Sequence, residues 1–149
     1  MENILEIRDM VVDYGIIRAL KGVSLDIPKG KIVVILGANG AGKTTTMHAI
    51  SGVTKAASGQ ILFEGEEIRN KQPYVIAKHG ISQSPEGRLI LSGLTVEENL
   101  RIGGYILKSR AQMNRNFEQV YDLFPVLKER RNQQATTLSG GEQQMLAMG

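Results

Sequence analysis

The feature that most constrains this chain is a glycine-rich loop that ends in lysine and threonine. Residues 37–44 read Gly-Ala-Asn-Gly-Ala-Gly-Lys-Thr and match the pattern G-x-x-x-x-G-K-[ST] at every fixed position. The aliphatic run at 31–36 before it is typical of a strand buried on both faces. The residues after it predict a helix from Lys43 to about Ser51, closed by Gly52. A strand, this loop and a helix in that order predict a phosphate-binding site.

The chemistry of phosphate binding assigns a role to each part of the loop. Glycines let successive backbone N–H groups approach phosphate oxygens, which a Cβ would obstruct. The Lys43 ammonium is expected to reach the β- and γ-phosphates, and the Thr44 hydroxyl to bind Mg²⁺ at the positive end of the helix. We therefore predict that a nucleoside triphosphate binds to Gly37, Ala38, Asn39, Gly40, Ala41, Gly42, Lys43, Thr44 and Thr45.

Composition excludes several other classes of protein. The 149 residues suit one domain. The formal charge of +3 is too small to indicate nucleic acid as a partner. The longest uninterrupted apolar stretch, Ile32 to Leu36, is far shorter than the roughly 20 residues of a membrane-spanning helix. Without cysteine there is neither a disulfide framework nor a thiolate metal site. We expect a soluble intracellular chain.

The rest of the chain alternates predicted strands and helices. Strands are predicted at 4–12, 16–27, 31–36, 60–63 and 81–84. Helices are predicted at 43–51, at 73–78, from Thr95, at 109–123 and from Ser139. Thr95 with Glu98 three residues later has the spacing of a capping box. This alternation predicts an α/β fold around a largely parallel sheet.

A second glycine pair lies in the segment Leu-Ser-Gly-Gly-Glu-Gln-Gln at 138–144. Serine and glycine at a helix start present O–H and N–H donors that suit a γ-phosphate. The segment resembles the signature motif of ATP-binding cassette (ABC) ATPases. That resemblance implies that Ser139, Gly140, Gly141 and Glu142 contact the ATP held by an opposite subunit. The alternative is an ordinary serine N-cap that begins a polar helix.

The same resemblance assigns two further positions. Tyr14 lies ahead of the loop, where the family carries an aromatic residue that stacks on adenine; a surface tyrosine packed at a strand end is the alternative. Spacing back from Thr95 places Glu86, after Pro85, at the family's glutamine-loop position. A carboxylate there can approach Mg²⁺ or its water. Gln83 is interpreted as a strand-end residue instead.

The Pro-Glu-Gly-Arg variant at 85–88 resembles the ATPase subunits of branched-chain amino acid importers. Further segments share that resemblance: 94–100, 123–125, 129–131 and 141–147. Leu91 departs from it, because the subfamily usually has an aromatic residue there. The resemblance implies a P-loop NTPase core with an N-terminal antiparallel β-subdomain and an α-helical subdomain at roughly 73–138. It covers essentially the whole chain.

The resemblance also implies partners and a location. A second ABC ATPase subunit, identical or different, would complete two shared ATP sites with Mg²⁺. Membrane permease subunits would contact the loop from Glu86 to Thr95, and a periplasmic or extracellular solute-binding protein would act indirectly. The expected location is peripheral, on the cytoplasmic face of the inner membrane, with no nucleic acid as a partner.

In the family, the metal-binding Asp, the general-base Glu and a switch His follow the signature helix. We therefore expect residues 1–149 to be a partial ABC ATPase domain with no general base assigned. Expressed by themselves, these residues are expected to expose apolar sheet edges, to be poorly soluble and to lack steady ATPase activity. Two alternatives remain. One is a hydrolysis-deficient nucleotide-binding or regulatory fragment, and the other is a soluble ABC ATPase without a transport role.

Overall fold

The computed structural model describes residues 2–84, 87 and 89–149. These form two compact units: unit 1 ends at Gln83 and unit 2 begins at Ser84. Within this part of the chain, no helix combines the length and apolar character that crossing a membrane requires.

Unit 1 is built on a four-stranded antiparallel sheet with two short helices. Its strands are β1 (Asn3–Tyr14), β2 (Ile17–Pro28), β3 (Ser58–Phe63) and β4 (Glu66–Glu67), in the order β2-β1-β3-β4. Its helices are α1 (Lys43–Ile50) and α2 (Pro73–Lys78). The strands predicted at 4–12, 16–27 and 60–63 and the helices predicted at 43–51 and 73–78 are confirmed, with small differences at their ends.

The core of unit 1 depends on a β-bulge in β1. Leu5 and Ile7 are buried at alternate positions, and the register shifts before Met10, where Asp9 adopts a φ of +46°. The extra residue returns Met10 to the buried side of the pleat. At the bulge, a Cβ on Gly59 would lie 2.6 Å from the carbonyl oxygen of Arg8. Residue 59 must therefore be glycine for β3 to lie this close to β1.

The strand predicted at 31–36 is wrong. These residues form no strand, and Ile32 and Leu36 are 95% and 87% exposed. Val33 and Ile35 are less exposed and line an apolar cavity of about 510 Å³ beside the sheet. A β-type sequence becomes a strand only when another strand bonds to its backbone. No described segment pairs with this run.

The predicted strand at 81–84 and the largely parallel sheet are also wrong. Residues 81–84 are not in a strand, and every strand pair between described residues is antiparallel. Gln83 is therefore not a strand-end residue. Its Oε1 accepts a hydrogen bond of 2.6 Å from Ser51 Oγ, at the C-terminal end of α1.

Unit 2 is helical. It contains α3 (Val96–Gly103), α4 (Arg110–Leu123), α5 (Pro125–Glu129), a short 3-10 helix (Ala135–Thr137) and α6 (Gly140–Met148). Its core is formed by Val96, Leu100, Tyr121, Leu127, Ala135, Leu138 and Leu146. The helical subdomain predicted for 73–138 differs from this unit, which excludes α2 and includes α6. That boundary stays a prediction about the domain as a whole.

The helix starts predicted in unit 2 are confirmed. Thr95 caps α3 with the full capping box: its hydroxyl accepts from the Glu98 N–H, and the Glu98 carboxylate accepts from the Thr95 N–H at 2.8 Å. Ser109 caps α4 by accepting from the Gln112 N–H. These caps satisfy N–H groups that a helix start otherwise leaves without partners.

Candidate nucleotide-binding site

The loop at 37–44 has a backbone that only glycine adopts easily at two positions. The Ala41 N–H donates to the Ala38 carbonyl oxygen at 3.1 Å, which closes a turn. Gly40 and Gly42 have φ values of +83° and +90°, in the left-handed region. A Cβ on Gly42 would also overlap Leu20 Cδ2 of β2. Gly42 must therefore be glycine for two reasons: its backbone conformation, and the lack of room for a Cβ beside Leu20.

Helix α1 starts without a side-chain cap. Gly42 is its N-cap, makes no side-chain capping bond, and no acidic residue lies in the first turn. The N–H groups of the first turn have no intrahelical partner, and the helix dipole is positive there. The first turn of α1 is stabilised on its buried side, because the Thr46 hydroxyl donates a hydrogen bond of 2.9 Å to the Gly42 carbonyl oxygen. This helix start can accept an anion from outside the chain.

The Lys43 ammonium lies over the same loop. Its Nζ donates to the carbonyl oxygens of Gly37 and Ala38 at 2.8 and 2.9 Å. The positive charge is thus held beside the glycine turn and the uncapped helix start. Open N–H donors, a lysine charge and the absence of a first-turn acid together fit a polyphosphate.

Of the two predicted metal contacts, only Thr44 lies among the described residues. Thr44 is exposed at the start of α1, so its hydroxyl is accessible. Glu86, the other predicted metal contact, lies outside the described residues, as do Pro85 and Arg88. Among the residues that are described, no group of three or more His, Asp or Glu side chains could hold a metal ion. A hydroxyl and phosphate oxygens are ligands that Mg²⁺ accepts, with water completing its shell.

Tyr14 lies at the end of β1 with 47% of its surface exposed. Its hydroxyl is 3.3 Å from Thr54 Oγ1, which holds one edge of the ring and leaves much of it accessible. Adenine stacking by this residue stays a prediction.

The predicted signature segment begins α6 with a complete capping box. Ser139 is the N-cap; its hydroxyl accepts from the Glu142 N–H, and the Glu142 carboxylate accepts from the Ser139 N–H at 2.7 Å. The backbone N–H of Ser139, followed by its side chain, interacts with the Glu142 carboxylate and holds the pKa of Glu142 below its usual range. The Arg130 guanidinium lies 3.5 Å from the same carboxylate. Gly140 and Gly141 are exposed at this start, so their N–H groups remain accessible.

One residue that the sequence analysis did not single out organises the loop after residue 89. Asn99 of α3 accepts from the Leu91 N–H at 2.7 Å and donates to the carbonyl oxygens of Leu91 and Thr95. Short amide side chains commonly bond to nearby backbone in this way. An asparagine one turn after a helix N-cap was the available signal.

Comparison with known proteins decides the family. The family profile described as "ABC transporter" matches residues 20–149. This chain belongs to the ABC transporter family. The ATP-binding cassette of another ABC transporter, solved without nucleotide, has a TM-score of 0.84 and 30% identity; the match covers 99% of this chain and 63% of that one. The α/β fold of this ABC protein is therefore the ABC ATPase fold, and members of the family in general bind ATP with Mg²⁺.

Two curated relatives are amino acid transport proteins. The high-affinity branched-chain amino acid transport ATP-binding protein BraG of Pseudomonas aeruginosa is 48% identical over 136 residues, which cover 91% of this chain and 58% of BraG. The probable branched-chain amino acid transport ATP-binding protein LivF of Archaeoglobus fulgidus is 38% identical over 135 residues, covering 91% of this chain and 57% of LivF. This ABC chain thus spans less than two thirds of the length of either relative.

Proposed function

We propose that this chain is the nucleotide-binding part of an ABC importer subunit that couples ATP binding and hydrolysis to uptake of branched-chain amino acids or related solutes. The observation that carries the proposal is the 48% identity with BraG over 136 residues. The uncapped start of α1 supports it independently, because it provides the phosphate contacts that such a subunit needs.

In this proposal the loop residues hold the triphosphate. The first-turn N–H groups of α1 and the Lys43 ammonium bind the phosphate oxygens, and Thr44 contributes a hydroxyl to Mg²⁺. Bound Mg²⁺ supplies charge neutralisation for the phosphates. Tyr14 stacks on the adenine, and Glu86 approaches the metal or its water. We assign no general base among the described residues.

A second ATPase subunit completes the proposed arrangement. The exposed glycines at the start of α6 offer N–H donors to a phosphate carried by that subunit, and Glu142 keeps the segment in shape through its bond to Ser139. Both subunits would lie at the cytoplasmic face of the membrane, bound to permease subunits. A solute-binding protein would act on the other side, and nucleic acid has no part.

The loop that precedes α3 is the proposed permease contact. Leu89 is 73% exposed, and Leu91 also presents much of its side chain to solvent. Asn99 bonds to the backbone N–H and carbonyl oxygen of Leu91, so Leu91 is held in place on this exposed apolar surface. A membrane protein segment with apolar side chains suits that surface.

Uptake by cells tests the proposal. In the source cells, we would replace the gene with a Lys43→Ala or a Lys31→Ala version and measure initial uptake of labelled leucine and of labelled spermidine. We expect Lys43→Ala to reduce leucine uptake to background and leave spermidine uptake unchanged. Lys31 is an exposed lysine outside the loop, so its variant should behave as the wild type. Full leucine uptake in cells whose Lys43→Ala protein no longer binds ATP would contradict a transport role.

A further inference from the structure

A side-chain hydrogen bond joins the end of β1 to the segment that follows α1. The hydroxyl of Tyr14, the last residue of β1, lies 3.3 Å from Thr54 Oγ1, and either oxygen can be the donor. The two residues are 40 positions apart in the sequence, so only the folded unit 1 brings them together. Within the described part of the chain, the Tyr14 hydroxyl bonds to no other group.

Thr54 lies on a segment whose backbone is held at several points. The Thr54 N–H donates to the carbonyl oxygen of His48 in α1 at 3.1 Å. Two residues further on, the Asn70 side chain bonds to both the N–H and the carbonyl oxygen of the buried Ala56, at 2.8 and 2.9 Å. The N–H of the next residue donates to a carbonyl oxygen of β1 at 2.8 Å. The Thr54 hydroxyl is therefore carried by backbone that is bonded to both α1 and β1.

The bond to Thr54 restrains a side chain that is otherwise free to move. Tyr14 is 47% exposed and lies where its strand ends. An exposed aromatic side chain that stops moving when a ligand stacks on it loses conformational entropy, which weakens binding. A ring whose hydroxyl is already held loses less of this entropy, and its faces stay accessible to a ligand. Holding a binding group in its bound orientation in advance strengthens binding.

We propose that Thr54 is a positioning residue for the nucleotide base, because its hydroxyl holds the Tyr14 ring in the orientation that stacks on adenine. The inference rests on the proposed function, in which Tyr14 stacks on the adenine of bound ATP. Thr54 acts through Tyr14 and does not itself contact the nucleotide. Helix α1 begins at the phosphate-binding loop and bonds to Thr54 through His48, so one helix positions both ends of the nucleotide site.

Calorimetric titration of the purified chain with two ligands, Mg·ATP and inorganic tripolyphosphate with Mg²⁺, tests the inference. Tripolyphosphate has the phosphates but no base, so its affinity measures the loop at 37–44 alone. Thr54→Val removes the hydroxyl, and we expect it to weaken ATP affinity about 3- to 10-fold and to leave tripolyphosphate affinity unchanged. Thr54→Ser keeps a hydroxyl and should restore most of the ATP affinity. The matched control is Thr136→Val, at an exposed threonine of unit 2, which should bind both ligands as the wild type does.

A double substitution tests whether Thr54 acts through Tyr14. Tyr14→Phe keeps the ring and removes its hydroxyl, so it should weaken ATP affinity by about the same factor as Thr54→Val. Because both substitutions remove the same hydrogen bond, the variant that carries both should bind ATP no more weakly than either single variant. Multiplied effects in the double variant would overturn the inference, since the two residues would then act independently.

Two further results would overturn the positioning role: unchanged ATP affinity in Thr54→Val, or an equal loss of affinity for ATP and tripolyphosphate. Tyr14→Ala separates this failure from that of the proposed stacking. If Tyr14→Ala weakens ATP binding and Thr54→Val does not, Tyr14 stacks on the base and only the role of Thr54 is wrong. If Tyr14→Ala binds ATP as tightly as the wild type, the stacking itself is wrong and the inference about Thr54 is wrong with it.

Discussion

Helices α1 and α6 both begin beside glycines, and the sequence predicts phosphate contacts at both, yet the two starts are built differently. Helix α1 has Gly42 as its N-cap, no side-chain capping bond and no acid in its first turn. Helix α6 has Ser139 as its N-cap, a full capping box and Glu142 in its first turn. The start of α1 has no side-chain cap, and the start of α6 is capped by the side chains of Ser139 and Glu142.

The difference in capping indicates which of the two helix starts can bind an anion from outside the chain. A carboxylate in the first turn compensates the positive end of the helix dipole and occupies an N–H donor. Glu142 does both at α6, where it accepts from the Ser139 N–H. At α1 the same stabilisation is missing, and Lys43 adds positive charge. In a single chain, we therefore infer that α1 is the phosphate-binding end.

The largest effect is expected from Lys43→Ala. Loss of a charge-assisted hydrogen bond costs about 1.5–3 kcal/mol, which weakens ATP affinity about 10- to 150-fold. Calorimetric titration with Mg·ATP measures this, and Lys31→Ala is the matched control because Lys31 is exposed and outside the loop. If the two variants bind Mg·ATP with equal affinity, the inference that α1 is the phosphate-binding helix start is wrong.

Gly42→Ala should destabilise unit 1. An alanine at a left-handed φ of +90° costs about 1–2 kcal/mol, and its methyl group would also overlap Leu20. Gly40→Ala should lower the free energy of unfolding only through its backbone conformation, because no atom lies within 4 Å of its Cβ position. Urea unfolding compares the two variants. We expect Gly42→Ala to be the less stable, and the reverse order would show that the contact with β2 is unimportant.

Ser139→Ala should lower the free energy of unfolding of unit 2 by about 1 kcal/mol, because the N-cap of α6 is lost. The same variant should keep the ATP affinity of the single chain. Gly141→Ala is the control: its Cβ meets no atom within 4 Å and leaves the capping box intact. If Ser139→Ala weakens ATP binding as much as Lys43→Ala does, both helix starts contribute in one chain.

The smallest effect is on acid stability. The Ser139 N–H and then its hydroxyl lower the pKa of Glu142 below its ordinary value in the folded chain. A carboxyl with a lowered folded pKa stabilises above its ordinary pKa, and this contribution is lost as the pH falls through the lowered value. Glu142→Gln should therefore lose less stability than the wild type as the pH falls below the ordinary pKa of a glutamate. Unfolding at a series of pH values measures the slope, with Glu129→Gln as the control; equal slopes for wild type and Glu142→Gln would contradict the cap.

Local signals explain which parts of the fold were predictable. The helix starts at Thr95, Ser109 and Ser139 depend on side chains that bond to backbone within three residues, and the sequence shows that spacing directly. The glycine conformations of the loop follow equally from local sterics. These elements form as predicted because their determinants lie within one turn of the chain.

Long-range contacts explain the failures. The run at 31–36 has the composition of a buried strand, but pairing requires a partner that local sequence cannot supply, and no described segment provides one. The buried hydroxyl of Tyr121 was equally invisible, because its surroundings come from several helices. The S-x-x-E spacing at Ser139 and Glu142, by contrast, is visible in the sequence, and these two residues form the capping box of α6.

The most direct test of the difference between α1 and α6 is a backbone amide NMR titration of the single chain with Mg·ATP. We predict large, saturable shifts for the N–H signals of residues 40–45, with much smaller changes at 140–142 at the same ATP concentrations. Saturable shifts at 140–142 with unchanged signals at 40–45 would contradict it, because the capped helix start would then be the one that binds phosphate.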